Sequence, residues 1–141
     1  MEFIRALKTA ITKQKRKASV RAYYSGGTVY MSRLYGFRLI AGHYSPDERF
    51  APGIRTIFEM LAAGKSLPEI KAALDSAGMR DSSNNRYSIS RIIAIAERPI
   101  YSGYLLQRGR MVAVKNLTAL TSLDTWKKAQ KQLRIEIKKY S

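Results

Sequence analysis

Cysteine is absent from the 141 residues, so no disulfide and no thiolate-built zinc site can form, and His43 is the only imidazole in the chain. No metal or cofactor is expected. Acidic residues are scarce: 10 Asp and Glu face 26 Lys and Arg, for a net charge of +16 and a pI near 10.4. A domain that basic usually meets a polyanion, and nucleic acid is the leading partner. Long apolar runs are missing too. No stretch approaches the roughly 18 uncharged apolar residues that a membrane span needs, and Glu2, Arg5 and Lys8 interrupt the first residues where a secretion signal would be continuous. These absences lead to the expectation of a soluble, cytoplasmic protein without a membrane partner. A Gly-rich phosphate loop, a His-plus-carboxylate pair and a metal-ligand cluster are also lacking, so the chain is not expected to catalyse a reaction by itself.

What is present has globular composition, 45% hydrophobic and 26% charged, enough for one core with appended ends. The basic residues crowd Lys13 to Lys17, recur at Arg21, Arg33 and Arg38, and return from Lys127 to Lys139, so the ends read as phosphate-facing arms. Phe3, Ile4, Leu7, Ala10 and Ile11 fall at helical spacing and predict a helix from Glu2 to about Ala18. Its abrupt start suggests a helix cut from a longer one. Next come strand formers, Tyr23, Tyr24, Val29, Tyr30, Tyr35 and Phe37, interrupted by a flexible loop at Ser25, Gly26 and Gly27, with a short strand near Leu34 to Ile40. Aromatics interleaved with Arg21, Arg33 and Arg38 can line a nucleic-acid groove or simply pack in a half-buried sheet.

Gly42 to Tyr44 reads as a turn with His43 exposed in it. Ser45, Pro46 and Glu48 have the spacing of a capping box opening the first helix of the core, with Pro52 breaking it and Gly64 ending it. After a Gly64–Lys65 turn, Ser66 and Glu69 form a second capping box, and Gly78 stops that helix. The polar run Asp81 to Arg86 is a loop, and Ser88 caps a third helix carrying Ile89, Ile92, Ile93 and Ile95 to about Glu97. Tyr101 to Val114 predicts two strands turning at Arg108–Gly109, a wing, and Thr121 with Asp124 opens a last helix with Trp126, Ala129, Leu133 and Ile137 inward.

The expected fold class is α+β, mainly helical: a helix-turn-helix or winged-helix-like core with a small hairpin, flanked by N- and C-terminal helices. In such units the first turn of the recognition helix approaches the major groove. Here that turn carries Arg86, Tyr87, Ser88, Ser90 and Arg91, with Asn84 and Asn85 beside it, and Arg91 is expected to read a base edge. Arg21, Arg33, Lys65, Arg108 and Arg110 complete the expected contacts, and Arg108 and Arg110 can also belong simply to a solvated turn. The serines have no adjacent base and read as caps and contacts, not nucleophiles.

Tyr35-Gly36-Phe37-Arg38, Asp47-Glu48, Ile54-Arg55-Thr56-Ile57-Phe58-Glu59 and Gly64-Lys65-Ser66-Leu67 follow one another in an order that resembles the central recombinase domain of the large serine recombinases. The sequel resembles it too, with Asn85-Arg86-Tyr87-Ser88, Ser90-Arg91-Ile92-Ile93 and, most specifically, Arg98-Pro99-Ile100-Tyr101-Ser102-Gly103. The likeness covers roughly residues 35 to 133. It implies that residues 1–20 end an inter-domain linker helix and that residues 21–141 form the DNA-binding domain. Within that domain the helix-turn-helix spans about 46–98, the hairpin about 100–114 and the last helix about 122–139. It further implies a double-stranded DNA partner, one half of an attachment site, during integration or excision. The family's catalytic serine domain and cysteine-bearing zinc domain do not fit in this chain, so a monomeric DNA-binding fragment of a bacterial or phage recombinase is expected. Two rivals use the same residues: a stand-alone winged-helix regulator or excisionase-like accessory protein, which needs a dimer interface, and an RNA-binding protein whose tyrosines stack on unpaired bases.

Overall fold

The computed structural model describes residues 23–25, 27–31 and 33–140. The predicted helix from Glu2 to Ala18, and Arg21, lie outside them. Three two-stranded antiparallel sheets and four α-helices occur among the described residues. Strands β1 (Tyr23–Ser25) and β2 (Thr28–Tyr30) pair first, and β3 (Phe37–Ile40) pairs with β4 (His43–Pro46). Helices α1 (Ala51–Ala62), α2 (Leu67–Ser76) and α3 (Ile89–Glu97) follow. A 3-10 turn (Pro99–Ser102) then leads into the hairpin β5 (Tyr104–Gln107) and β6 (Arg110–Ala113), and α4 (Leu123–Lys139) closes the chain.

The core is one apolar cluster. Ile54, Ile57, Phe58 and Leu61 from α1 meet Leu67, Ile70 and Leu74 from α2, Ile92 and Ile93 from α3, and Ala129 and Leu133 from α4. Their spacing is what makes each helix a helix here: apolar residues at three- and four-residue intervals bury one face, and α1 lies most extensively against α4. The caps set the ends. Ser66 Oγ accepts from the Glu69 amide at 3.2 Å while the Glu69 carboxylate reaches back to the Ser66 amide, so the expected capping box at α2 is formed. Ser88 Oγ caps α3 through the Arg91 amide at 3.1 Å. At the hairpin, Arg108 and Gly109 both take positive φ, 48° and 78°, the requirement of the two-residue turn expected there.

Five expectations for the ends and connections of the elements need correction. The first core helix starts at Ala51, not at Pro46, because Pro46 pairs with Phe37 at the end of β4 and the Asp47 amide donates to the Gly36 carbonyl at 2.8 Å. A distant strand has taken the residues that local spacing assigned to a cap. Pro52 therefore sits in the first helical turn, where its missing N–H interrupts nothing, and no break follows. The turn expected at Gly42 to Tyr44 falls at Ala41–Gly42, again with two positive φ values, and His43 begins β4 with its Nε2 2.8 Å from Thr118 Oγ1. Ser25, expected in a loop, instead ends β1 and pairs with Thr28 of β2. At the last helix the cap is Ser122, whose Oγ accepts from the Thr125 amide at 3.0 Å, one residue beyond the expected Thr121.

Asn116 joins the sheets. Its Oδ1 accepts from the Val29 amide at 2.9 Å, and its Nδ2 donates to the carbonyls of Val29 and Gly42. The Tyr44 amide donates to the Asn116 carbonyl, and Tyr44 Oη bonds the backbone of Met31. Through these contacts the first two hairpins are held beside the segment that follows the wing, which places β3 and its approach next to α3.

Candidate nucleic-acid interface

The loop before α3 is ordered by one carboxylate. Asp81 Oδ1 accepts from the amides of Ser83 and Asn85 at 2.9 and 3.0 Å, and the Asp81 carbonyl accepts from Asn84, which tolerates its φ of 61° as asparagine does. Asn84, Asn85, Arg86, Ser88 and Ser90 are all exposed as a result, in one short arc at the start of the helix. Ser88 Oγ and Ser90 Oγ lie 3.0 Å apart. Such an arc of amides, hydroxyls and a guanidinium offers donors and acceptors at the end of a helix where partial positive charge already gathers.

Tyr87 does not belong to that surface. It is 1% exposed, its ring lies over Gly53 of α1, and its hydroxyl meets the Tyr35 hydroxyl at 2.6 Å. The expectation that Tyr87 contacts a nucleic acid is therefore corrected: a residue between the polar loop and the cap points inward, and a phenol of that size supplies core area. Its carbonyl accepts from Lys71 Nζ at 2.8 Å, which fastens α2 to the start of α3.

Arg91 takes an intermediate position. Its guanidinium lies 4.3 Å from the centre of the Tyr35 ring, and together with Arg33, Tyr35, Phe37, Arg49, Phe50 and other residues it lines a groove of about 400 Å³ beside the start of α3. Arg33 and Arg91, expected from the sequence as separate contacts, are thus brought to one place. Arg49 is the residue that sequence reasoning missed. Its Nε and Nη2 bind the Asp47 carboxylate at 3.1 and 2.7 Å, which holds that carboxyl below the usual range, and its guanidinium lies over the Phe50 ring. No local spacing marks such a partner. Burial raises the Tyr35 hydroxyl well above a free phenol, with the Tyr87 bond adding to the effect, so both hydroxyls stay neutral and Arg91 faces a π surface, not a phenolate. Burial also pushes the Tyr101 hydroxyl up to about 12, and it donates to the Tyr35 carbonyl at 2.9 Å.

The remaining expected residues lie apart from the groove lining. Arg108 and Arg110 are exposed at the tip of the β5–β6 hairpin. Lys65 is exposed in the α1–α2 turn, where Gln132 of α4 donates to its carbonyl. Among the described residues no group of three or more His, Asp or Glu side chains could hold a metal, and no helix is long and apolar enough to cross a membrane.

Two helices joined by a tight turn, a third with an exposed capped start and a two-stranded hairpin after it define an α+β helix-turn-helix protein with a wing. A family model described as Recombinase matches residues 48–136, and the chain belongs to that family. No curated protein matches the sequence. Among solved structures, the chain is similar to the crystal structure of an LSR–DNA complex (large serine recombinase), with 13% identity and a TM-score of 0.59 over 91% of this chain and 42% of that one. It is also similar to a structure that addresses the sequence requirements of the Listeria innocua prophage attP site, with 16% identity and a TM-score of 0.60 over 90% of this chain and 51% of that one. The chain thus spans about half or less of the structures it resembles.

Proposed function

We propose that this chain is the sequence-specific duplex-DNA-binding part of a site-specific serine recombinase, and that it grips one half of an attachment site with the start of α3 in the major groove. The observation that carries the reading is the set of exposed residues Asn84, Asn85, Arg86, Ser88 and Ser90 at the start of α3, on a buried four-helix core in a chain of net charge +16. Arg86, exposed and without an ion pair to any acid among the described residues, is the base-reading residue, because its planar fork matches guanine O6 and N7. Ser90 and the two asparagines contact neighbouring bases or phosphates, and Arg108 and Arg110 of the wing lie along the sugar-phosphate backbone. Membership of the Recombinase family and a fold shared with an LSR–DNA complex support the duplex-binding reading. Strand cleavage is assigned to a catalytic domain elsewhere in the parent recombinase.

Selection from random duplexes with this chain tests the reading. A defined motif of one half-site is expected. Arg86→Ala should then weaken binding to that motif by about 1–3 kcal/mol and relax the preference at one base pair, while binding to random DNA changes little. A chain that enriches no motif, or prefers structured RNA over duplex DNA, contradicts the proposal.

A further inference from the structure

The groove beside α3 holds more cationic capacity than its own acids use. Three arginines, Arg33, Arg49 and Arg91, line it against one aspartate, Asp47. Asp47 is already engaged by two nitrogens of Arg49, and neither Arg33 nor Arg91 has a carboxylate within ion-pair distance among the described residues. Arg91 is the informative one. Its Nε is shielded from solvent and has no acceptor among the described residues, while the Tyr35 ring supports the guanidinium from one face. A shielded arginine nitrogen without an acceptor is costly, and the terminal nitrogens of the same guanidinium, which make no hydrogen bond to a described residue, are the ones left to meet an anionic oxygen. Tyr35 is itself fixed, by its hydroxyl contact to Tyr87 and by its carbonyl, which accepts from Tyr101. The ring thus aims the fork without neutralising it.

We infer that Arg91 and Arg33 form a seat for one backbone phosphate of the bound duplex, with Tyr35 as the platform that positions Arg91. The inference rests on the duplex-binding reading above and deepens it, by giving Arg91 a sequence-independent task distinct from the base contact of Arg86. A base edge lies on the floor of the major groove and demands a side chain that protrudes from the helix start. Arg91 instead lies half-buried against the Tyr35 ring, where an approaching phosphate at the groove's rim is the accessible anion. A guanidinium fork also matches two phosphate oxygens at once.

The test compares the selected half-site and a random duplex of equal length over a salt series, with folding of each variant verified by circular dichroism. Arg91→Gln is expected to weaken both duplexes by the same factor, about tenfold. The double variant Arg33→Gln with Arg91→Gln should reduce the steepness of the salt dependence by about 0.9, the share of one phosphate. Tyr35→Phe keeps the ring but gives up the hydroxyl contact to Tyr87 that helps fix it, so its loss should be smaller than that of Tyr35→Leu, which should behave like Arg91→Gln. A scan of neutral methylphosphonate linkages should find one position that weakens the unaltered chain and has no further effect on the double variant. Loss confined to the selected half-site, or no loss at all, overturns the phosphate seat and leaves duplex binding standing. Failure of the unaltered chain to bind any duplex overturns the underlying reading instead.

Discussion

Gly36→Ala is expected to lower the free energy of unfolding by about 3 kcal/mol, measured by urea denaturation, with little change in the denaturant slope. Two costs combine at this position. Gly36 has φ 91°, a conformation that side chains other than glycine rarely adopt, and a methyl group there would collide with the δ-methyl of Ile54 in the core. Ile54 cannot withdraw easily, since it is fully buried, and the Tyr101 ring and Leu120 already stand 3.3 and 3.4 Å from the same point. Gly42 provides the internal control. It also has a positive φ, 80°, but nothing within 4 Å of a new methyl, so Gly42→Ala should cost only about 1 kcal/mol. Equal losses at the two positions would show that packing against Ile54 contributes nothing. Because Gly36 adjoins Tyr35 and its carbonyl accepts from Asp47, the variant should also disturb the groove at the start of α3.

Glu136→Ala should cost about 2–3 kcal/mol by the same assay. Glu136 lies on the lysine-rich last helix, yet it is 0% exposed, and its Oε1 accepts from the first amide of α2, Leu67 N, at 2.8 Å. Oε2 meets Lys139 Nζ at 2.7 Å, and Glu136 holds the Lys139 ammonium above its usual pKa. The carboxylate therefore satisfies an orphan donor at the start of α2 and neutralises the arrangement from its own helix. Alanine leaves the Leu67 amide buried without a partner. Glu136→Gln keeps an oxygen for that amide and gives up only the charge pair, so its loss should be clearly smaller. If glutamine proves as damaging as alanine, the ion pair and not the amide bond holds α4 in place.

Local chemistry explains which parts of this fold were readable. The caps at Ser66 and Ser88 and the Arg108–Gly109 turn depend on residues a few positions apart, and all three form as their spacing implies. Ser45, Pro46 and Glu48 show an equally good local pattern, but pairing of Pro46 with Phe37 makes Ser45 and Pro46 a strand end, an outcome decided nine residues upstream. The interface divides in the same way. Exposure of Arg86, Ser88 and Ser90 follows from the polar loop and the cap, whereas the burial of Tyr87 depends on a hydroxyl 52 positions away. Glu136 was invisible for the same reason: its partner amide is 69 positions distant, and its helix reads as a solvated cationic face. The groove joining Arg33, Arg49 and Arg91 exists only once β3 and β4 have folded beside α3.

The absence of native cysteine makes the central claim directly measurable, because Ser90→Cys supplies a single thiol at the start of α3. That thiol would be labelled with a photoactivatable aryl azide and irradiated on the duplex recovered by selection. Crosslinks to bases at one point of the half-site, abolished when guanine N7 at that point is methylated in the major groove, are the predicted result. A label that reaches no base while the complex stays intact would contradict the placement of α3 in the groove.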